Sequence, residues 1–197
     1  MYPKVLVACP TRDIKMYALG EWANAYHDFV YLNKDSFLVD NTPDTLDYAR
    51  HIRFYNLNCA YQAPMPNWWD TLDLCWLKII ERAHEVGAKH ILSLEQDIIA
   101  PPITLDVMLL ASGSKNAVVT HRYRPRGAYG SNDWYETLGC TLIPTDLVYP
   151  RRFALYTRFE VALFNLLRET PYPLVRLQDH LGLVHLDAPG DACNGNI

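Results

Sequence analysis

No apolar run in this sequence approaches the length of a bilayer span; the longest, such as Val107 to Ala111, stop after about one helical turn. The opening residues, Met1-Tyr2-Pro3-Lys4-Val5-Leu6, are too short and too strand-like for a secretory signal, so a cytoplasmic protein is expected. An excess of one charge is also missing. Eighteen basic residues stand against 22 acidic ones, a net charge of −4, which argues against a bulk electrostatic grip on nucleic acid. The five cysteines, Cys9, Cys59, Cys75, Cys140 and Cys193, are odd in number, widely spaced and form no Cys-x-x-Cys. That pattern excludes a zinc knuckle or a disulfide framework and reads as buried thiols. Glycine signatures are lacking as well. No Gly-x-Gly-x-x-Gly follows the first apolar run, and neither a Gly-Lys-Ser/Thr loop nor a Gly-x-Ser-x-Gly elbow occurs. The usual dinucleotide fold, P-loop NTPases and α/β-hydrolases are thereby disfavoured.

What is present is ordinary globular composition, 50% hydrophobic and 20% charged over 197 residues, enough for one domain with its own core. Strand and helix patterns alternate. Lys4 to Cys9 reads as a buried strand, Pro10 to Asp13 as a loop and Ile14 to Tyr26 as a helix. Phe29 to Leu32 reads as a second strand ended by Asn33-Lys34-Asp35-Ser36, and Pro43 starts a helix over Asp44 to Phe54. The best-defined helix carries Leu72, Cys75, Trp76, Ile79, Ala83 and Val86 on one stripe, with Asn67 as its cap and Gly87 as its left-handed stop. Lys89 to Leu94 is a buried strand, Thr104 to Ala111 a helix, and Ala117 to Thr120 a strand. Residues 122 to 133 have loop composition, Trp134 to Ile143 looks extended, and Phe153 to Arg168 is helical. Pro173 to Leu177 and Leu183 to Leu186 are short terminal strands. The expected fold is a single-domain α/β structure, a mixed, mainly parallel sheet with helices on both faces.

Open α/β sheets bind ligands at the carboxyl ends of their strands. Three such ends are expected, at Pro10 to Asp13, Lys34 to Ser36 and Glu95 to Asp97. Side chains two apart on an extended segment point the same way, so Glu95 and Asp97 are expected to converge. Two like charges so placed are costly without a cation, and a hard divalent ion relieves that cost. The same pair also suits a plain surface turn with one carboxylate capping the next helix.

The run Ile91-Leu92-Ser93-Leu94-Glu95-Gln96-Asp97-Ile98, followed by Pro101-Pro102, resembles the Asp-x-Asp segment of GT-A fold glycosyltransferases. The likeness extends to a Val-rich first strand ending in Pro10-Thr11-Arg12, to Asp35-Ser36, to Gly139 in an extended stretch, to Gln178-Asp179-His180 and to His185. The small size resembles viral, notably crenarchaeal viral, and archaeal members. Two departures stand out: Glu95 replaces the first Asp of the motif, and Gln178 replaces the acid before Asp179.

The resemblance implies a GT-A-like (Rossmann-like) domain spanning 1–197. Residues 1–100 would be a nucleotide-sugar-binding half, 101–187 an acceptor-side half and 188–197 a flexible tail. It implies transfer of a sugar from a UDP- or GDP-sugar to a hydroxyl or amide of a glycan or protein acceptor, without nucleic acid and without a transmembrane segment. Mn²⁺ or Mg²⁺ would be held by Asp97, Glu95 and His185. Pro10, Thr11, Arg12, Asp35, Glu95 and Gly139 would bind the nucleotide sugar. Asp179 would be the general base of an inverting reaction. Trp68, Trp69 and Trp134 suit either sugar stacking or core packing. His121 to Arg126 suits a loop facing phosphate or acceptor, or a solvated loop. Nucleotidyl transfer on a similar sheet, and a non-catalytic sugar-binding or virion-associated module, are the competing readings.

Overall fold

The first strand, β1 (Val5–Thr11), is buried on both faces, as its unbroken apolar run requires of a central parallel strand. In the computed structural model, which describes residues 2–43, 47–121, 138–148, 158–177 and 182–186, β1 lies inside a seven-stranded sheet. The sheet runs β3 (Cys59–Tyr61), β2 (Lys34–Asp40), β1, β4 (His90–Leu94), β7 (Cys140–Pro144), β6 (Val118–His121) and β8 (Leu174–Leu177). Only β7 runs against its neighbours; the other pairings are parallel. A small antiparallel ribbon joins β5 (Ile98–Ile99) to β9 (Val184–His185).

Helices cover both faces. Val5, Val7 and Cys9 of β1 and Leu92 and Leu94 of β4 face α1 (Met16–Asp28), α2 (Asp47–Phe54) and α4 (Thr104–Ser112) through Trp22, Ile52 and Met108. Leu6, Ala8 and Ile91 point the other way, onto α3 (Trp68–Glu85) and α5 (Phe159–Glu169) through Ile79, Ile80 and Leu163. This alternation is the period of two of a strand. Each fully buried aliphatic side chain stabilises the fold by about 1.5–3 kcal/mol before entropy is counted. Trp22 adds a polar tie, its indole Nε1 donating to the Leu94 carbonyl at 3.3 Å.

The helix α3 ends as its sequence requires. The Asn67 side chain accepts from the Trp69 N–H at 3.1 Å, and Gly87 has φ of 66°, a left-handed stop that costs glycine little. The second strand differs from expectation. Phe29 to Leu32 form a connection, and β2 begins at Lys34, inside the polar tetrad that composition marks as a turn. Each polar group there has a partner. Lys34 Nζ donates to the carbonyls of Phe29 and Tyr31, Ser36 accepts from the Asn58 N–H, and Asp35 pairs with Lys4. The carboxyl end of β2 is therefore Asp40, and Ser36 sits within the strand. The expected helix over 153–168 is described from Phe159 onward, and the helix expected from Thr104 to Ala111 is α4, ending at Ser112. Among the described residues, no helix is long and apolar enough to cross a membrane.

Candidate functional site

The chain leaves β4 at Leu94 and turns at once, with the Ile98 N–H donating to the Glu95 carbonyl at 2.9 Å. Glu95-Gln96-Asp97 is thus a turn and not the extended segment expected, because Gln96 is drawn inward. Gln96 is completely buried. Its Oε1 accepts from the hydroxyls of Tyr48, at 2.6 Å, and Thr11, and its Nε2 donates to the Lys15 carbonyl at 3.0 Å. The middle residue of the acidic motif therefore ties β4 to the end of β1 and to the start of α1.

The two carboxylates still converge, and they do so on Lys15. Its ammonium Nζ lies 3.0 Å from Asp97 Oδ1 and 3.5 Å from Glu95 Oε2. His185 Nε2 lies 3.6 Å from the other Asp97 oxygen, brought there by the pairing of Ile98 with His185. Burial pushes the Asp97 carboxyl up, but His185 and Lys15 together outweigh it and hold it well below the usual carboxylate range. Burial likewise pushes Lys15 down, and Glu95 and Asp97 reverse the sign and raise it.

Glu95, Asp97 and His185 are donor types that divalent ions accept. As arranged, however, they hold an ammonium between the carboxylates. An ion such as Mg²⁺ needs its oxygen ligands at about 2.0–2.1 Å and cannot share those contacts with Lys15. Among the described residues, no group of three His, Cys, Asp or Glu converges to hold a metal ion. The arrangement does not fit the Mn²⁺ or Mg²⁺ that the resemblance implies.

Beside this turn a cavity of about 230 Å³ opens at the carboxyl ends of β1, β2 and β4. Pro10, Thr11, Arg12 and Asn41 form one wall, Trp68, Trp69 and Asp73 a second, and Glu95, Leu138 and Glu160 a third. Two guanidinium–indole pairs mark its mouth, Arg12 5.3 Å from the Trp68 ring centre and Arg158 3.5 Å from that of Trp69. Trp76 and Phe159 stack at 4.6 Å behind them, and Asp73 accepts the Phe159 N–H at 2.8 Å, fastening α5 to α3. Two buried polar atoms at this wall, Arg12 Nε and Asn41 Oδ1, have no hydrogen-bond partner among the described residues. Burial raises the Glu160 carboxyl; the Leu138 N–H it accepts at 3.1 Å lowers it, and Glu95 adds to the rise.

The structure thus brings Pro10, Thr11, Arg12 and Glu95 to one cavity, with Asp97 and His185 behind Lys15. Gly139 lies beside them, its carbonyl accepting from the Glu95 N–H at 2.8 Å. It does not bring Asp35 there. Asp35 lies opposite Leu6 near the amino end of β2, on Lys4, because the strand begins at Lys34. At the site, Asn41 follows the true end of β2. Asp179, with Gln178 and His180, lies outside the described residues, as do loop 122–133, Trp134 and tail 188–197. Sequence reasoning missed Lys15, Gln96, Asn41, Arg158 and Glu160. Gln96 alone carried a signal, as an uncharged residue at the buried end of an apolar strand.

No protein-family model and no curated protein sequence matches this chain. Solved structures do match. The structure of 4-diphosphocytidyl-2C-methyl-D-erythritol synthase aligns over 97% of this chain and 96% of its own, with TM-score 0.65 and 13% identity. Glucosyl-3-phosphoglycerate synthase from Mycobacterium tuberculosis, in complex with phosphoglyceric acid, aligns over 96% and 74%, with TM-score 0.61 and 13% identity. S. aureus TarS residues 1–349, in complex with UDP-GlcNAc, aligns over 90% of this chain, which spans 57% of that one, with TM-score 0.61 and 14% identity. At such identities the likeness establishes the fold: the GT-A-like, Rossmann-like sheet shared by sugar and nucleotidyl transferases. Nothing in these matches points to a viral or archaeal source.

Proposed function

We propose that this chain is a transferase that moves a sugar from a nucleoside-diphosphate sugar to an acceptor hydroxyl or amide. The observation that carries the reading is the cavity wall. A buried Arg12 Nε and a buried Asn41 Oδ1 stand without partners among the described residues, beside two indole faces, at the carboxyl ends of a parallel sheet. A nucleobase offers a flat face for Trp68 or Trp69, a stacking worth about 1–3 kcal/mol. Its edge offers an N–H to Asn41. Arg12 and Lys15 supply fixed positive charge for the diphosphate, with Pro10 and Thr11 shaping the wall.

As the anomeric carbon–oxygen bond breaks, charge grows on the leaving phosphate oxygen, and prepositioned cations favour that state over the bound substrate. Glu95 and the backbone at Gly139 face the sugar. Asp179 takes the proton of the attacking acceptor hydroxyl, which predicts inversion at the anomeric carbon. In this reading residues 1–100 serve the nucleotide and 101–187 the acceptor. The fold family commonly supplies the positive charge at this point as a divalent ion; no step here is assigned to one.

A second reading, nucleotidyl transfer, has behind it the near-complete mutual coverage with the diphosphocytidyl-methylerythritol synthase. The products separate the two. With a panel of UDP- and GDP-sugars, the expected results are a raised Tm with at least one of them, by ligand linkage, and release of UDP or GDP. Pyrophosphate release from a nucleoside triphosphate and a phosphorylated alcohol would select the second reading. No thermal shift with any nucleotide sugar would overturn the first.

A further inference from the structure

We propose that Lys15 is the resident cation of this site, its ammonium standing where a divalent ion would otherwise bind between Glu95 and Asp97. The lysine is held at both ends by the same turn. Gln96 Nε2 donates to its carbonyl at 3.0 Å, while its Nζ contacts Asp97 at 3.0 Å and Glu95 at 3.5 Å. Its own N–H donates to the Arg12 carbonyl at 2.9 Å, so backbone and side chain are fixed together. A surface lysine gains little from such pairs. This one is half-buried, against a carboxylate that is almost wholly so.

Charge balance gives the same answer. Two converging carboxylates need a cation, and here a covalently tethered one supplies it at no cost in association entropy. An added divalent ion would meet the repulsion of the ammonium and would have to displace it from both oxygens. The native protein is therefore metal-free at this turn. Removing the ammonium while keeping the side-chain length should let the two carboxylates, now without their shared cation, close on a divalent ion, with the His185 imidazole already beside Asp97 Oδ2. This inference borrows from the proposed function only the idea that Lys15 faces a diphosphate. The binding of Mn²⁺ itself requires no nucleotide sugar.

The test is Mn²⁺ titration of the folded full chain, read by electron paramagnetic resonance as loss of the free-ion signal. The wild type should bind Mn²⁺ no more tightly than Asp97→Asn, and Lys15→Arg should behave as wild type. Lys15→Met should gain one saturable site, at least about tenfold tighter, that disappears in Lys15→Met/Asp97→Asn. A wild-type site abolished by Asp97→Asn would overturn the proposal, and so would a folded Lys15→Met that gains none. If Lys15→Met does not fold, the wild type against Asp97→Asn still decides. Failure here leaves nucleotide-sugar binding untouched, whereas a protein that binds no nucleotide sugar can still pass.

Discussion

The two ends of the sheet each carry a lysine–aspartate pair of nearly equal length, and the pairs are not equivalent. At the amino ends Lys4 Nζ lies 2.8 Å from Asp35 Oδ2, with side chains 32% and 36% exposed. At the carboxyl ends Lys15 Nζ lies 3.0 Å from Asp97 Oδ1, but Asp97 is only 6% exposed. Water screens the first pair, and such exposed pairs are worth about 0–1 kcal/mol. The second is shielded from solvent and joined to Gln96, Glu95 and His185, so neither member can be lost without leaving a charge in a poor solvent. Distance does not separate an incidental ion pair from a built one; burial and the neighbours on each partner do.

The largest expected effect comes from breaking the carboxyl-end pair. Asp97→Ala leaves the Lys15 ammonium with Glu95 alone, at 3.5 Å, and should cost about 3 kcal/mol, the lower end for a buried pair because that carboxylate remains and Lys15 keeps some exposure. For a chain of this size that is a fall in Tm of roughly 6–12 °C, measurable by calorimetry. Gln96→Ala should come next, at about 2 kcal/mol, since it leaves Thr11, Tyr48 and the Lys15 carbonyl without the side chain they share. Arg12→Ala should leave Tm nearly unchanged and weaken nucleotide-sugar binding about tenfold, or about 1.4 kcal/mol, by isothermal titration. Lys4→Ala at the amino end should cost about 0.5 kcal/mol or less and leave binding as it was.

Acid titration sharpens the same contrast. Asp97 is held below its unfolded value of about 3.9, so its contribution is complete above that pH and is lost as pH falls through the depressed folded value. Urea midpoints of the wild type should therefore drop faster below about pH 4 than those of Asp97→Asn. Lys15 is raised, so its contribution is complete below the unfolded value of about 10.4 and lost as pH rises beyond it through the folded one.

The fold was legible where a single physical signal dominated. The buried runs of β1 and β4, the stripe of α3 and its two caps all follow from local sequence. Asp35 was misplaced because Asn33-Lys34-Asp35-Ser36 has turn composition, and only the tertiary partners Lys4, Asn58 and the Phe29 and Tyr31 carbonyls reveal a strand start there. At the site, the convergence of Glu95 and Asp97 was expected from their spacing and the approach of His185 to Asp97 from the resemblance. Lys15 was not, because nothing in a lysine at the start of an amphipathic helix announces that its ammonium reaches a turn 80 residues further along the chain. Arg158 and Glu160 reach the cavity through the docking of α5 on α3 by Asp73, which no spacing encodes.

The most direct measurement is the titration of UDP- and GDP-sugars into the wild type and Arg12→Ala, in EDTA and again with Mn²⁺. Saturable binding of at least one nucleotide sugar to the wild type, equal in both buffers and about tenfold weaker in Arg12→Ala, is the predicted result. The absence of binding to the wild type in either buffer, or binding that Arg12→Ala leaves unchanged, would contradict a nucleotide-sugar seat at the carboxyl ends of β1 and β4.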